Sequence, residues 1–491
     1  KKKFYEQEGF DLEQAEKQLR EYTQGQKSRP FFPWKLYFAE VFQEKGGFDI
    51  VIGNPPYIQL QKAYDSGRKY ADLYMDQGYN TFDRMGDIYC LFYERGISLL
   101  RSGGILTYIS SNKWMRAGYG QKLREYLHKL NPKILIDLGP GVFESSTVDT
   151  NILIVQKARN EKKLLAVTVT ENKKNHLDFA TILKNNGVVL SKLDSSQPWF
   201  IGNDAEQRLK AKIERVGKPL REWGVNIYYG IKTGLNEAFI IDEVKRQEIL
   251  NNCQDEDERH RTEAIIKPIL RGRDIKRYYY EWAGLWLIAI RAGWTNENRG
   301  KEKPNIFIER IFPSLMKHLK NYEKKARIRD DQGDYWWEMR PCAYYDEFEK
   351  EKLAWSDISA QPIFTILPKG IYFNNTVYMI ASDHNKYFNS IFNSKITRWY
   401  FPKISTDLGK EGQRFFKIFV EIMPLPPISS FNKAIITKVE GLVDNILEAK
   451  KQNPQADTRD LEQEIDNLVY KLYGLTEEEI KIIENSAKKS D

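Results

Sequence analysis

The sequence predicts an α/β fold in which a partial, mainly parallel sheet is followed by a mixed α+β region and by C-terminal helices. Apolar runs typical of buried strands occur at 48–53, 103–111 and 134–139, and segments with helical spacing separate them. Lysine becomes frequent after about residue 158, which indicates a change of domain. Past Pro424-Leu425-Pro426-Pro427, apolar residues recur at helical spacing.

The first strand, Phe48 to Gly53, is followed by Asn54-Pro55-Pro56-Tyr57, which we call the tip. Two prolines fix φ, lack an N–H, and push the preceding residue out of the α region, so we expect the strand to end at Asn54. An amide and a phenol ring are then held at the carboxyl end of a strand. In open α/β sheets, ligands bind at this edge.

The chemistry of the tip suits a nucleobase amine, which is a poor nucleophile because its lone pair is delocalised into the ring. The side-chain oxygen of Asn54 and the carbonyl of Pro55 can each accept one N–H of the amine, which favours a tetrahedral nitrogen with its lone pair aimed at an electrophile. Tyr57 offers a face for stacking an extruded base, worth about 1–3 kcal/mol. An ordinary Asn-Pro turn after a core strand is the alternative.

The elements downstream of the tip continue the α/β pattern. We predict a helix at 86–100 with Asp87 near its start, a strand at 103–111 after a glycine turn, a helix at 119–130, a strand at 134–139 and a final strand at 150–157. Residues 58–84, polar and rich in tyrosine, are either a flap that touches DNA phosphates or a surface insertion. Residues 1–30 have the pattern of a polar helix.

The tip and the strand before it resemble the catalytic motif of the DNA adenine-N6 methyltransferases, in the branch that contains TaqI-like enzymes and fused type IIG restriction-modification proteins. The resemblance implies a Rossmann-like methyltransferase sheet, a motif formed by Asn54, Pro55, Pro56 and Tyr57, and a flipped adenine whose second face stacks on Phe143. A turn phenylalanine that packs on its own sheet is the alternative for Phe143.

The same resemblance implies S-adenosyl-L-methionine as the methyl donor and places Asp87 and Tyr89 where the family has a cofactor contact. Burial on a helix face explains most of that segment without any function. A glycine-rich strand-to-helix turn normally holds the nucleoside, and none occurs in the 53 residues before Asn54. We therefore expect the main cofactor motif upstream, in a longer chain that includes a methyltransferase or nuclease portion, or in a partner chain.

The second region resembles the TaqI-like C-terminal specificity domain in the segments 223–241, 270–278, 336–340 and 367–378. Gly230 and Gly234 lack the spacing of a phosphate-binding loop. The candidate DNA-binding residues are Lys232, Arg271, Arg273, Lys276 and Arg277. A second basic block at 317–329 has the pattern of a solvated helix face.

Three domains follow from these patterns: a C-terminal part of a methyltransferase catalytic domain at 1–160, a DNA target-recognition domain at 161–430 and a helical segment at 431–491. Thr476 and Glu479 predict a capping box for the last helix.

Composition is consistent with a DNA-binding enzyme of the cytoplasm. The net charge is +8 and aromatic residues make up 13%, a combination that suits duplex DNA. The three cysteines have no metal-ligand spacing, so no metal site is predicted, and no apolar run is long enough for a membrane span.

The expected activity is that of a sequence-specific adenine-N6 DNA methyltransferase from a bacterial restriction-modification system, alone or within a bifunctional restriction enzyme. Two alternatives stay open. One is a DNA-binding specificity subunit without catalysis, and the other is a methyltransferase acting on RNA or on protein glutamine.

Overall fold

The computed structural model describes residues 17, 20–21, 32–139, 141–143, 148–169, 178–191, 193, 195–196, 198–405 and 412–488. The helix predicted for 1–30 lies almost entirely outside them. Both α-helices and β-sheets are present, and the predicted α/β class is confirmed. Within the described residues, no helix is both long enough and apolar enough to cross a membrane.

The chain forms short and long strands in the following order. They are β1 (Phe48–Gly53), β2 (Tyr64–Asp65), β3 (Arg68–Lys69), β4 (Leu100–Ser111), β5 (Asn131–Gly139), β6 (Thr150–Gln156), β7 (Leu164–Thr168), β8 (Val188–Leu190), β9 (Lys218–Pro219), β10 (Tyr228–Tyr229), β11 (Ile240–Asp242), β12 (Ile266–Leu270), β13 (Ile275–Lys276), β14 (Tyr279–Tyr280), β15 (Leu285–Ile288), β16 (Lys352–Ser356), β17 (Ile358–Ser359), β18 (Phe364–Leu367), β19 (Tyr372–Phe373), β20 (Val377–Ile380), β21 (Gln413–Arg414) and β22 (Pro424–Leu425).

The helices are distributed along the whole described chain. They are α1 (Trp34–Tyr37), α2 (Ala39–Glu44), α3 (Tyr70–Tyr74), α4 (Tyr89–Leu99), α5 (Gln121–His128), α6 (Phe179–Asn186), α7 (Asp204–Val216), α8 (Asn236–Phe239), α9 (Glu243–Asn251), α10 (Glu256–Ile265), α11 (Trp294–Asn298), α12 (Pro304–Ile311), α13 (Pro313–Lys320), α14 (Glu323–Ala326), α15 (Tyr345–Phe348), α16 (Asn385–Phe392), α17 (Lys395–Tyr400), α18 (Lys417–Val420), α19 (Lys433–Gln452), α20 (Arg459–Leu472) and α21 (Glu477–Lys488).

A six-stranded sheet, in the order β1-β4-β6-β5-β7-β8, carries the tip at one end of its first strand. β1 runs parallel to β4, and β5 runs parallel to β7. β6 is antiparallel to both β4 and β5, and β8 is antiparallel to β7. β1, β4 and β5 therefore point the same way, and their carboxyl ends meet at one edge of the sheet.

Helix α4, which starts beside the tip, packs closely on β4, and this packing fixes its position. Gly96 makes the approach possible, because a Cβ there would lie 2.5 Å from both the Leu106 side chain and the Tyr108 hydroxyl. The helix buries Tyr93 and Ile97 against the same face of the sheet, in one core with Leu106. Their burial holds the start of α4 in place relative to β1.

The sheet differs from the predicted one in the position of β6. The strand predicted as the last one lies in the middle of the sheet, and β7 and β8 continue it beyond residue 160. Local periodicity identifies a strand but carries no information about its neighbours, since pairing is a long-range property. The predicted domain boundary near residue 160 falls between β6 and β7 of this sheet, and the division into domains stays a prediction.

The second region contains two four-stranded sheets, in the orders β10-β20-β16-β18 and β11-β15-β12-β19. The C-terminal helices share a core with the first of these sheets, in which Val443 and Val469 pack with Trp355 and Phe392. The predicted capping box at the start of α21 is confirmed: Thr476 N–H donates to Glu479 at 2.8 Å, and Glu479 N–H donates to Thr476 Oγ1 at 3.3 Å.

Candidate active site

The tip stands at the carboxyl end of β1, as its prolines predict. Asn54 and Pro56 are exposed, Pro55 is buried and Tyr57 is half-buried. The Tyr57 hydroxyl donates a hydrogen bond to Asn54 Oδ1 at 3.1 Å. This bond uses one lone pair of the amide oxygen and leaves the second available to an incoming N–H. The side chains of Asn54 and Tyr57 are therefore held together at the sheet edge.

A second tyrosine supports the ring of Tyr57 from behind. The rings of Tyr57 and Tyr89 meet edge to face, with centroids 6.3 Å apart and planes at 88°. Tyr89 has no exposed surface, and its hydroxyl is 2.8 Å from the hydroxyl of Tyr119. Burial raises the pKa of Tyr57, and it raises the pKa of Tyr89 well above its ordinary value. Both phenols are consequently neutral at physiological pH.

Asp87 fastens the chain that follows Tyr57 to the start of α4. Its carboxylate accepts the N–H of Ile58 at 2.8 Å, and the N–H of Ile88 donates back to the Ile58 carbonyl at 2.9 Å. Burial raises the pKa of Asp87, although the backbone N–H groups of Ile58, Tyr89 and Ile88 oppose that rise. Asp87 and Tyr89 thus position the tip, and their predicted contact with a cofactor stays a prediction.

A pocket of about 290 Å³ opens beside Tyr57, close to the lower limit of about 300–1,000 Å³ for small-molecule sites. Its lining combines one carboxylate with two ammonium groups. The lining residues are Tyr57, Gln59, Lys62, Met85, Gly86, Asp87, Ser111, Lys113, Tyr119 and Val148. The pocket brings together the ends of β1 and β4 and the start of α4.

Sequence reasoning missed several of these lining residues. Lys113 was not among them: it stands two residues past the end of β4, where the rule that parallel strands end at a common edge places it. No sequence rule places Tyr119 or Met85 at the pocket. Tyr119 lies just before helix α5 and Met85 lies in a turn, and neither follows a strand of the sheet.

A buried polar network stiffens the same edge of the sheet. Asn112 donates to the Asp137 carboxylate at 2.8 Å, and Arg116 lies 3.5 Å from its other oxygen. Asn151 on β6 donates to the Ser111 carbonyl at 2.9 Å. These bonds join the carboxyl ends of β4 and β5 to the start of β6.

Phe143, the predicted second stacking residue, is half-buried in the bend after β5. The strand order puts β6 and β4 between β5 and β1. Among the described residues, the ring contact of Tyr57 is with Tyr89, and none joins Tyr57 to Phe143. Its stacking role stays a prediction.

The predicted DNA-binding cations fall into two groups. Arg271 makes a two-pronged ion pair with Asp274, at 2.8 and 2.9 Å, and Lys276 lies 3.6 Å from Glu281. Arg277 is 2.5 Å from Glu462 on α20, which ties the β13–β14 hairpin to the C-terminal helices.

Lys232 and Arg273 form the other group and are exposed. Both lie next to residues that pack on the segment 373–376. Ile231 N–H donates to the Phe373 carbonyl at 2.8 Å, and Gly272 N–H donates to Thr376 Oγ1 at 2.9 Å. The structure therefore brings Lys232 and Arg273 to a common part of the second region.

Two family models match the chain. The model of the Eco57I restriction-modification methylase matches residues 2–143, which include the tip. The model of the TaqI-like C-terminal specificity domain matches residues 267–425. The chain joins an Eco57I-type methylase region to a TaqI-like specificity domain. The resemblance of the tip to a restriction-modification methylase, and of the second region from residue 267 onward to the TaqI-like specificity domain, is confirmed.

Named relatives agree with these two regions. The type II methyltransferase M.PaeR7I of Pseudomonas aeruginosa is 23% identical over 458 residues, which cover 89% of this chain and 72% of the relative. The type II restriction enzyme and methyltransferase RM.Eco57I of Escherichia coli is 29% identical over 205 residues, 41% of this chain and 20% of the relative. The homologues are thus type II methyltransferases, some of them fused to a restriction enzyme.

A solved structure shares the fold over most of the chain. The type IIL restriction-modification enzyme MmeI, solved in complex with DNA, matches with a TM-score of 0.61 at 13% identity. The match covers 90% of this chain and 57% of the MmeI chain. The chain therefore spans little more than half the length of that enzyme, and the likeness concerns the fold of both the methylase region and the specificity domain.

Proposed function

We propose that this protein is a sequence-specific adenine-N6 DNA methyltransferase of a restriction-modification system, which acts on an adenine flipped out of duplex DNA. One observation carries the proposal: Asn54 and Tyr57 are joined by a 3.1 Å hydrogen bond at the carboxyl end of a parallel strand, beside a pocket. The arrangement supplies an amine-binding oxygen and a stacking ring in one place.

The residues of the tip divide the work as follows. Asn54 Oδ1 and the Pro55 carbonyl accept the two N–H groups of the adenine amine and orient its lone pair outward. Tyr57 stacks on the flipped base, and Tyr89 keeps the Tyr57 ring from tilting, since the two rings meet at 88°. Pro56 restricts the backbone between Asn54 and Tyr57. The tip works by orientation, so neither Asn54 nor neutral Tyr57 has to change its charge.

S-adenosyl-L-methionine, when bound, supplies an electrophilic methyl group on a sulfonium cation. Of the three charged groups that line the pocket beside Tyr57, the Asp87 carboxylate is the one that complements the sulfonium cation, and it fits that end of the donor. The ammonium group of Lys113 favours the ionised form of Asp87 and opposes the effect of burial on its pKa. Asp87 would hold the donor. Tyr89, which is fully buried at the start of α4, would support Asp87 from behind.

The rest of the cofactor site is proposed to come from further βα units that dock on the free side of β1. In the described part of the chain, β1 pairs only with β4. Its residues Ile50 and Ile52 are 64% and 78% exposed. A parallel strand on that side, together with the helix that connects it, would cover them and would bring its own carboxyl end to the tip, where a glycine-rich turn can reach the ligand.

Target recognition is assigned to the second region, with the division at 1–160, 161–430 and 431–491 kept as a proposal. Duplex DNA is the proposed partner, and Lys232 and Arg273 are its contacts in this region because both are exposed. The other three candidate cations have acidic partners within the protein and would act mainly by keeping the recognition surface in its folded shape. They are Arg271, Lys276 and Arg277.

The test is methyl transfer by the full-length protein to DNA, with the modified base identified by mass spectrometry of nucleosides. We expect Asn54→Ala to lower the rate at least about 100-fold, which is about 2.7 kcal/mol of lost transition-state stabilisation, with DNA affinity retained. Asn305→Ala, an exposed asparagine on α12, is the matched control and is expected to match wild type. Normal methylation by Asn54→Ala would overturn the mechanism. A product other than N6-methyladenine would overturn the assigned substrate.

A further inference from the structure

A small β-hairpin projects from the chain soon after the tip. β2 and β3 pair with Tyr64 opposite Lys69 and Asp65 opposite Arg68. The two residues between them have positive φ, 49° at Ser66 and 82° at Gly67, which is the geometry of a type I′ turn. A Cβ at Gly67 would meet nothing within 4 Å, so this position of the turn is clear of the other residues that the structure describes.

The hairpin is mounted on a packed base. Ala71 N–H donates to the Leu60 carbonyl at 2.9 Å, and Tyr70 N–H donates to the Ala63 carbonyl at 3.0 Å. Leu60 and Ala71 are almost fully buried, in a cluster with Ile88. Segment 58–84 is therefore ordered around its own small core, and its tyrosines at 70, 74 and 79 pack against that core.

The base of the hairpin is fixed to the segment that holds the tip. Leu60 N–H donates to the Gly86 carbonyl at 3.0 Å, one residue before Asp87, which binds Ile58. Lys62, at the start of the hairpin, lines the same pocket as Tyr57. The hairpin is thus placed next to the pocket through short, hydrogen-bonded connections.

The side chains at the end of the hairpin are an aromatic ring and two cations, the residue types that commonly contact nucleic acids. Tyr64 is 59% exposed, and the Lys69 ammonium lies 5.8 Å from the centre of its ring. Arg68 is exposed on the other strand. In this pairing Tyr64 and Lys69 lie on one face of the hairpin, whereas Arg68 lies on the other face, opposite Asp65. A two-stranded hairpin is marginally stable at best by itself, so an exposed aromatic ring beside a cation contributes little to stability. Stacking on bases and contact with phosphates use that combination directly.

We propose that this hairpin clamps the target strand of duplex DNA beside the active-site pocket. Arg68 and Lys69 contact phosphates next to the flipped nucleotide, and Tyr64 stacks on a neighbouring base. The proposal rests on the proposed function only in taking duplex DNA as the substrate, and it assigns positioning residues rather than catalytic ones.

The phosphate contacts are tested through the salt dependence of DNA binding. For a mixed-sequence duplex and the full-length protein, each phosphate contact adds about 0.9 to the slope of log affinity against log salt. We expect Arg68→Ala/Lys69→Ala to reduce that slope by about 2. The matched control is Lys133→Ala/Lys163→Ala, which removes the same charge near the amino ends of β5 and β7. A slope equal to that of the control would overturn the assignment.

The stacking role of Tyr64 is tested with Tyr64→Ala and Tyr64→Phe. We expect Tyr64→Ala to weaken duplex binding about 5- to 150-fold with an unchanged salt slope, and Tyr64→Phe to restore most of the affinity, since the face of the ring carries the contact. Equal binding by wild type and Tyr64→Ala would overturn this part.

The outcomes separate the hairpin from the proposed chemistry. If the protein binds duplex DNA but transfers no methyl group, the proposed function fails while the slope comparison still decides the role of the hairpin. If no duplex binds at low salt, or RNA binds in preference, both proposals are overturned.

Discussion

Lys352 offers a sharp test of the energetics of the specificity domain, because its ammonium group is buried. Among the ion pairs of the described residues, none joins Lys352 to a carboxylate. The residue starts β16 and has no exposed surface. Its Nζ donates to the carbonyls of Phe348, Lys350 and Pro368. Burial lowers the pKa of Lys352 to about 8, against an ordinary value of 10.5.

The magnitude follows from that difference in pKa. Lowering the pKa from 10.5 to about 8 corresponds to about 3 kcal/mol of cost to the folded state at pH 7, where the lysine is charged both folded and unfolded. Between pH 8 and 10.5 the folded state binds fewer protons than the unfolded state, so stability rises with pH. Integrated from pH 7 to 9.5, the gain is about 2 kcal/mol.

The assay is urea unfolding of the wild type and Lys352→Met at pH 7 and 9.5. We expect the variant to be the less stable at pH 7, because each of the three carbonyls left without a donor costs about 1–3 kcal/mol. The deficit should widen by about 2 kcal/mol at pH 9.5, since only the wild type gains from deprotonation.

The control is Lys350→Met, which removes an exposed lysine that pairs with Glu347. It should leave the pH dependence unchanged. A gap between Lys352→Met and wild type that stays constant with pH would refute the reasoning. It would mean that the three carbonyls compensate the desolvation of the ammonium.

Two further predictions concern the C-terminal helices. Gly441 lies inside α19, and a Cβ there would meet nothing within 4 Å, so Gly441→Ala should raise the free energy of unfolding by about 0.5–1 kcal/mol in urea melts; a loss of stability would contradict the open geometry. Burial raises the pKa of Asp466 to about 6, so its favourable contribution, complete below pH 3.8, is lost as pH rises through 6. Between pH 4.5 and 7 the wild type should lose about 2 kcal/mol that Asp466→Asn retains, and parallel pH profiles of the two proteins would argue against a buried carboxyl.

Local patterns in the sequence were sufficient for the elements that form the active site. The prolines at 55 and 56 place the end of β1, and the apolar runs place β4 and β5 to within a few residues. The capping box at Thr476 was also predictable, because its two hydrogen bonds join residues only three apart. These features depend on neighbours in the chain, which a sequence displays directly.

Features that depend on distant partners were not predictable. β6 alternates like any half-buried strand, and nothing in its residues states that it lies between β4 and β5. In the sequence, Arg277 looks like a DNA contact because it belongs to a basic cluster. In the structure it pairs with Glu462, which lies far along the chain. Arg329 belongs to a basic block with the pattern of a solvated helix face, yet it is buried against the ring of Phe239 and donates to main-chain carbonyls.

The side of β1 that pairs with no strand of the described residues also affects how the chain behaves in isolation. A strand with an open hydrogen-bonding edge and exposed isoleucines is a template for pairing with other chains, and proteins commonly protect such edges with charge. Here Asp49, on the same strand, binds both Lys45 and Arg101 at the surface. We expect these charged groups to oppose such pairing, and salt would weaken their effect. Purification in low salt is therefore expected to favour monodisperse protein.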